Sequence, residues 1–405
     1  MSDATHEPYE GWRLAALAGL ALLMLLPVTL PVPVLRELVT VRFGVSTFWA
    51  SSFMSVNMLG AVLAAPLAGA AADRFGHRPR WIAGALVLDA LCFLGLTREL
   101  PFPAFMAIRF VEGSAHIFGL SLLMGLAATA RPLAGRGVAM GATGAGLLLG
   151  VAIGAPIGGV LGALDPVRPL YTGALVVAVA AALVPLLLRE TGVAPGRRPG
   201  FAEIRRMLTG NRLLWVPLLF AFADRFTVGF FTSTFSLFLR EVHELEPVRI
   251  GLLIAIFMVP FALLSFPFGW VSQRSSRAWL LCGGSLLYGF GVASIGFWPG
   301  SALLVPMLAT GTAAAVMFVP SMLMTTEMTP EAVRTTSMGA FNAAGSLGFI
   351  LGPLTGGFVS QAVAAHSGDW HTGYQAAFLV AGAAEVALAL VAFPALWRFE
   401  RRAAA

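Results

Sequence analysis

The sequence predicts an all-α membrane protein, with twelve transmembrane helices arranged as two pseudo-symmetric six-helix bundles. Three observations carry that prediction. Hydrophobic residues form 58% of the 405 and charged residues only 11%, whereas a soluble domain is about 25% charged; mean hydropathy is +0.83. Charge-poor runs recur at the roughly 20 residues needed to cross a bilayer. A glycine pattern also repeats 198 positions apart: Gly141, Gly150, Gly154, Gly158 and Gly159 return as Gly339, Gly348, Gly352, Gly356 and Gly357. Pro132, Arg136 and Met140 return in step as Pro330, Arg334 and Met338.

Charge-free runs and their breaks place the spans at 13–35, 46–72, 80–97, 101–129, 136–163 and 168–188 in the first half. The second half reads 213–239, 248–272, 278–297, 301–326, 335–361 and 373–397. The expected domains are a bundle over 1–190, a linker over 191–212 and a bundle over 213–405. Within the linker Gly192, Pro195, Gly196, Pro199 and Gly200 argue for a flexible start. The stretch Phe201 to Leu208 then has the face pattern of a short helix lying on the membrane surface. Asp3, Glu7 and Glu10 without a basic start do not match a cleaved signal peptide. Cys92 and Cys282 fall in apolar runs, and no metal-ligand spacing is present.

All 26 basic residues are arginines. With the N-terminus inside, 18 fall in cytoplasmic segments and 6 in outer loops, leaving Arg109 and Arg225 inside spans. That bias orients the chain with both termini cytoplasmic. It also accounts for the pI of 10.3 through the inner leaflet, without nucleic acid as a partner.

Between the second and third spans the chain reads Gly69-Ala-Ala-Ala-Asp73-Arg74-Phe75-Gly76-His77-Arg78. The second half keeps Gly269 and Arg274 there but has Gln273 in place of the aspartate. Span four carries Arg109-Phe-Val-Glu112-Gly113, and span eleven reads G-x8-G-x3-G-P-x2-G-G through Pro353; span five has Pro156 one position later. Together, in this order over the whole chain, these motifs resemble the major facilitator superfamily: its signature loop, its R-x-x-Q/E-G element and its antiporter glycine motif.

The resemblance implies alternating-access transport driven by an ion gradient, with protons as the ion and no bound cofactor or metal. The antiporter pattern implies efflux; Phe222, Phe226, Phe230, Phe231 and Phe235 with Met54, Met58, Met317 and Met322 suggest a small amphipathic substrate, and a monomer in a bacterial-type inner membrane is expected. A transporter dedicated to one sugar, amino acid or siderophore is the alternative within the class, as is a uniporter. A non-transporting sensor would be expected to lose the gate and buried charges. Enzymatic activity has no support, because the sequence holds no phosphate loop and no H-E-x-x-H.

Specific roles follow. Asp73 in the motif Gly69, Asp73, Arg74, Gly76 and Arg78 is expected to face the start of span eleven near Arg334, as a cytoplasmic gate. The glycines, with Pro156 and Pro353, are expected to pack smoothly against the neighbouring bundle, five on eight and eleven on two. Ionisable groups inside a span are functional candidates. Arg109, Glu112 and His116 share one helical face at i, i+3, i+7; the resemblance implicates this arginine in proton coupling. Asp224 and Arg225 adjoin but point about 100° apart, so Asp224 is expected to pair with Arg109 across the bundles. Asp89 and Glu385 read as structural. Phe222, Phe226, Phe230, Asn57 and Asn342 are the cavity candidates. Span one holds no carboxylate between Leu14 and Leu35, which moves coupling to Glu112 or Asp224.

Overall fold

The computed structural model describes residues 11–75, 77–129, 136–188, 209–329 and 334–404. Among these the secondary structure is helical throughout, with no strand. The first half holds α1 (Gly11–Thr29), α2 (Thr47–Phe75), α3 (Arg78–Leu96), α4 (Phe102–Thr129), α5 (Arg136–Leu164) and α6 (Arg168–Leu187). The second half holds α7 (Trp215–Thr232), α8 (Thr234–Glu241), α9 (Pro247–Ser272), α10 (Arg277–Ser294), α11 (Leu304–Glu327), α12 (Arg334–Ser367) and α13 (Trp370–Ala404). The amphipathic stretch 201–208 and Gly76 lie outside the described residues.

Eleven helical segments among the described residues are long and apolar enough to cross a membrane. The twelfth expected span, 213–239, is a correction: it is two helices, broken at Ser233 (φ −140, ψ −71). α7 is only 18 residues long and contains both Asp224 and Arg225, so neither its length nor its charge suits an uninterrupted crossing. Span one breaks at the matching place. Regular α-helix ends at Thr29, and Val32–Val34 forms a 3-10 turn before a π-helical stretch over Arg36–Val41. Pro31 and Pro33 explain that break, since each lacks the amide hydrogen that would continue the ladder.

The chain divides into two compact units, Met1–Pro31 with Leu59–Pro195, and Val32–Met58 with Gly196–Ala405. In the first, α1 lies along α5, and α3 packs on α4 and α6. In the second, α7 lies along α12, and α10 packs on α11 and α13. The two sets of pairings correspond span for span, as the internal repeat requires.

All nine tryptophans sit at or near helix ends and stay exposed, from 39% at Trp81 and Trp298 to 61% at Trp279. Amphipathic indoles prefer the headgroup zone, so this is the aromatic belt of a membrane protein. Guanidinium groups stack over several of them: Arg13 on Trp12 at 5.3 Å, Arg274 on Trp270 at 3.9 Å and Arg401 on Trp397 at 4.7 Å.

The repeated glycines have one steric purpose. A Cβ built at Gly146, Gly150, Gly154 or Gly158 of α5 would stand 2.0–2.5 Å from the carbonyl oxygens of Ala18, Leu22, Leu26 and Leu30. Each pair is offset by 128 residues (146 − 18, 158 − 30), so two parallel helices meet backbone to backbone over successive turns. In the second unit a Cβ built at Gly348 or Gly352 of α12 would stand 2.3 or 2.2 Å from the carbonyl oxygens of Phe222 and Phe226, and one at Gly356 would strike Thr234. This corrects the expectation that Gly150, Gly154, Gly348 and Gly352 face a neighbouring bundle, because their partners are α1 and α7 of their own units. Spacing gives a glycine's face on its helix but not which helix covers it. Gly357 does meet Ser51 and Phe48 of α2, as the eleven-on-two pairing requires, and Ser55 Oγ donates to Ile350 O at 2.7 Å beside it. Gly141 and Gly339 have nothing within 4 Å.

Gly154→Leu and Gly352→Leu should therefore lose folded yield and thermal stability, by about 3 kcal/mol or more for overpacked backbone contacts. Gly141→Leu and Gly339→Leu should be near neutral. Melting of detergent-purified variants by size-exclusion fluorescence checks this; equal melting temperatures for all four would contradict backbone contact.

Candidate functional site

Buried charge is confined to a few places, and the first lies between α3 and α4. Arg109, Glu112 and His116 are on the face of α4 that their spacing assigns, at 0%, 1% and 6% exposure. Arg109 Nη1 donates to Glu112 Oε2 at 2.7 Å. His116 Nδ1 shares a hydrogen bond of 2.9 Å with Asp89 Oδ2, reaching it from α3. Asp89, Glu112 and His116 bring one ligand-type atom each within 4.8 Å of one another. Asp89 Oδ1 and His116 Nε2 are buried without a hydrogen-bond partner among the described residues.

The charge count decides what such a cluster can do. Two carboxylates and one guanidinium leave one net negative charge when the imidazole is neutral, and none when it is protonated. One added proton thus neutralises a group for which the surrounding hydrocarbon offers little solvation. A divalent cation would overshoot and would have to displace Arg109 from Glu112, so the donor set suits a proton better than a metal. Asp89, read from sequence as structural, is a member of this cluster. Its partnership with His116 joins two helices 27 positions apart, a contact that periodicity along one helix does not reveal.

The second unit holds Asp224 at 7% exposure. Its Oδ2 lies 3.9 Å from Arg225 Nη1, which corrects the expectation that these neighbours each need another partner. Within its own unit Arg109 is bonded to Glu112, and within the other Asp224 lies beside Arg225. The guanidinium of Arg225 is held 5.6 Å from the rings of Phe318 and Phe341, and its stem crosses Gly345, where a Cβ would come within 2.4 Å of Cδ. Cation–π contact replaces water around it. Phe222, Phe226 and Phe230 form a continuous aromatic run, with centroids 5.8 and 5.3 Å apart. Phe222 is half-buried, but Phe230 is sealed at 0% and Phe226 at 8%, so those two pack the α7–α12 seam instead of lining a cavity. Asn57 is buried and Asn342 exposed. Gly69, Asp73 and Arg74 end α2 and Arg334 begins α12, but the surroundings of their side chains lie outside the described residues. Arg78 is half-buried at the start of α3.

A third cluster went unnoticed in the sequence. Leu35-Arg36-Glu37 follows the break in span one, and Leu239-Arg240-Glu241 follows the break in span seven. The repeated triplets pair reciprocally: Arg36 Nε lies 3.6 Å from Glu241 Oε1, while Arg240 Nε donates to Glu37 Oε1. Tyr374 Oη donates to Glu241 Oε2 and Thr47 Oγ1 to Glu241 Oε1, and Ser236 Oγ donates to Val32 O at 2.6 Å. Burial pushes the Glu241 carboxyl above its ordinary range, opposed by the Tyr374 hydrogen bond, Arg36 and Thr47 and aided by Glu37. Arg36, Thr47, Arg240 and Glu241 border a polar cleft of about 840 Å³ that also includes Thr40, Glu244, Gln361 and Trp370. The signal available in sequence was the triplet itself, which recurs at an offset of 204, not the 198 of the glycines.

Membrane-length helices in duplicate, with matched breaks in spans one and seven and ionic clusters buried among them, are the architecture of a membrane transporter. The chain belongs to the Major Facilitator Superfamily, whose family profile matches residues 17–246 and again 218–405. That family is one of membrane transporters, and eleven membrane-length helices among the described residues make this chain a multi-pass membrane protein. Over 86 residues it is 38% identical to the chloramphenicol resistance protein CraA of Acinetobacter baumannii, covering 21% of this chain and 19% of that one. Over 201 residues it is 29% identical to multidrug resistance protein 1 of Bacillus subtilis, covering 48% and 50%. The chain thus spans half the length or less of these curated relatives. In fold it is similar to a bacterial homolog of the human lysosomal transporter Spinster, solved in an inward-facing, unoccupied conformation, with a TM-score of 0.81, 17% identity and 98% of each chain covered.

Exchanging the charges of one reciprocal pair tests that cluster. Glu37→Arg and Arg240→Glu alone should each lower the melting temperature, and the double swap should restore it, with a coupling of about 1 kcal/mol. Additive losses in the double-mutant cycle would mean that the pair is incidental.

Proposed function

We propose that this protein exports a small amphipathic molecule across a bacterial-type inner membrane in exchange for protons, as a monomer with both termini cytoplasmic. The buried cluster of Asp89, Arg109, Glu112 and His116 carries this reading. It is one proton short of neutrality, so a state that exposes it to water on one side loads the proton and a state that buries it keeps it. Arg109 holds Glu112 in register, and the His116–Asp89 hydrogen bond supplies a second place for the same proton. Export is supported by the partial similarity to two resistance proteins and by the antiporter glycine pattern. The family's alternating access supplies the cycle, with the bundles 1–190 and 213–405 each stiffened by its own glycine-packed helix pair. The reciprocal Arg36–Glu241 and Arg240–Glu37 pairs act as the outer gate, and Asp73 with Arg334 as the inner one. The lack of any phosphate-binding loop favours an ion gradient over nucleotide hydrolysis.

The reading is tested with everted vesicles or proteoliposomes, an imposed pH gradient and a compound panel headed by chloramphenicol. Wild type should accumulate at least one compound uphill and lose it on adding an uncoupler. Glu112→Gln and His116→Ala should cut uphill accumulation about tenfold or more, the effect of a little over 1 kcal/mol of coupling, while keeping downhill exchange. Asp224→Asn is the competing variant. If it alone abolishes uphill transport, the proton travels on α7; if no variant changes it, exchange for protons is wrong.

A further inference from the structure

The second unit holds a carboxylate that the proposed cycle leaves unused. Glu385 lies near the middle of α13, which runs from Trp370 to Ala404, and is 0% exposed. Neither carboxylate oxygen has a hydrogen-bond partner among the described residues. It is pressed against α10 by a glycine contact: a Cβ on Gly289 would lie 3.0 Å from Glu385 Cβ and 2.8 Å from Gly382 O. Tyr288, the residue before Gly289, is also 0% exposed, and its hydroxyl has no hydrogen-bond partner among the described residues. Across from them α7 presents Asp224, whose Oδ1 is buried and likewise without a hydrogen bond among the described residues. Asp224 lies within electrostatic range of both Tyr288 and Glu385.

Two hydroxyls stand beside the cluster, Ser285 next to Glu385 and Thr227 next to Tyr288. Ser285 Oγ donates to Met317 Sδ at 3.1 Å, and Thr227 Oγ1 donates to Asp224 O at 2.7 Å. The other elements around α13 add little. α12 carries no ionisable side chain from Ser337 to Ala365. α8 contributes Arg240 and Glu241 only at the far end, where Tyr374 meets them. The cation on α7, Arg225, is committed to Asp224 and to the rings of Phe318 and Phe341.

An ionised carboxylate in hydrocarbon without a counter-ion or hydrogen-bond donor is among the costliest arrangements a protein can hold. The neutral acid removes most of that cost. A bare polar cluster on three helices, closed by glycine packing, is therefore shaped for one small cation, and a proton needs no further ligands. We propose that Glu385, with Tyr288 and Asp224, forms a second proton-binding site, in the C-terminal half and separate from the Asp89–His116 cluster. The Glu385 carboxylate takes a proton from hydronium, forming one O–H bond and releasing water, and returns it by the reverse step. Tyr288 stands as the hydroxyl through which that proton can pass towards Asp224. The proposal relies on the proton-exchange reading for its role in transport, but not for the existence of the site.

Infrared spectroscopy of purified wild type at neutral pH should show a protonated-carboxyl band that Glu385→Gln removes and Tyr288→Phe shifts. Tyr288→Phe is the deciding variant should Glu385→Gln fold poorly. An unchanged band in the variants means that Glu385 is ionised and overturns the proposal. Loss of the wild-type band on adding sodium at fixed pH means that the site takes a metal cation, and also overturns it. In the vesicle assay Glu385→Gln should lose about tenfold of uphill accumulation and keep downhill exchange. A Glu385 band without any pH-driven transport in wild type would sink the exchange reading and leave this site standing. Uphill transport without the band would do the reverse.

Discussion

Charge is expensive in hydrocarbon, and that cost explains most of what this chain does with its few ionisable residues. Arginines gather at one set of helix ends, where 18 of 26 were assigned to a single side. The tryptophans mark helix ends throughout, several of them under a guanidinium. Where charge does enter the helices it is organised. Arg109 and Glu112 are bonded, His116 and Asp89 share a hydrogen bond, and Arg225 is wrapped in aromatic rings. Among the atoms buried without a hydrogen bond among the described residues are titratable ones of Asp89, His116, Asp224, Tyr288 and Glu385. Those are the atoms at which a proton can be gained or lost with a large effect on energy.

Such clusters hold their geometry because the helices around them are close-packed. The α1–α5 and α7–α12 seams bring backbone against backbone, so these pairs behave as rigid two-helix units. Each seam runs on just past the break in its first helix, to Leu30 after Thr29 in one half and to Thr234 after Thr232 in the other. Past each break the chain delivers an Arg-Glu dipeptide, and the two dipeptides clasp each other. Rigid seams below and a breakable ionic clasp above would let one set of contacts persist through a cycle while the other opens.

Much of this could be read in the sequence, because the relevant signals are local. Charge-free runs placed span two at 46–72, and the helix is Thr47–Phe75; span six at 168–188 is Arg168–Leu187. The i, i+3, i+7 spacing put Arg109, Glu112 and His116 on one face, where they are found. What depended on neighbours was not legible. Periodicity did not indicate that Asp89 would meet His116, or that Gly150 and Gly348 would turn to α1 and α7 instead of another bundle. The break at Ser233 has no proline to announce it; its traces are Gly229 one turn earlier and the Thr232-Ser233-Thr234 run, where the Thr232 and Ser233 hydroxyls donate back to Gly229 O. The reciprocal triplets were visible only once the two breaks could be aligned.

The central claim is that substrate and a proton compete for binding to this protein, so that binding one releases the other, and a direct measurement can reach it. Purified wild-type protein in weakly buffered detergent would be mixed with a transported compound while the bulk pH is followed. The account predicts a fall in pH on adding compound at neutral pH, lost when Glu112→Gln and His116→Ala are combined. Tight binding of the compound by wild type with no proton released would contradict it.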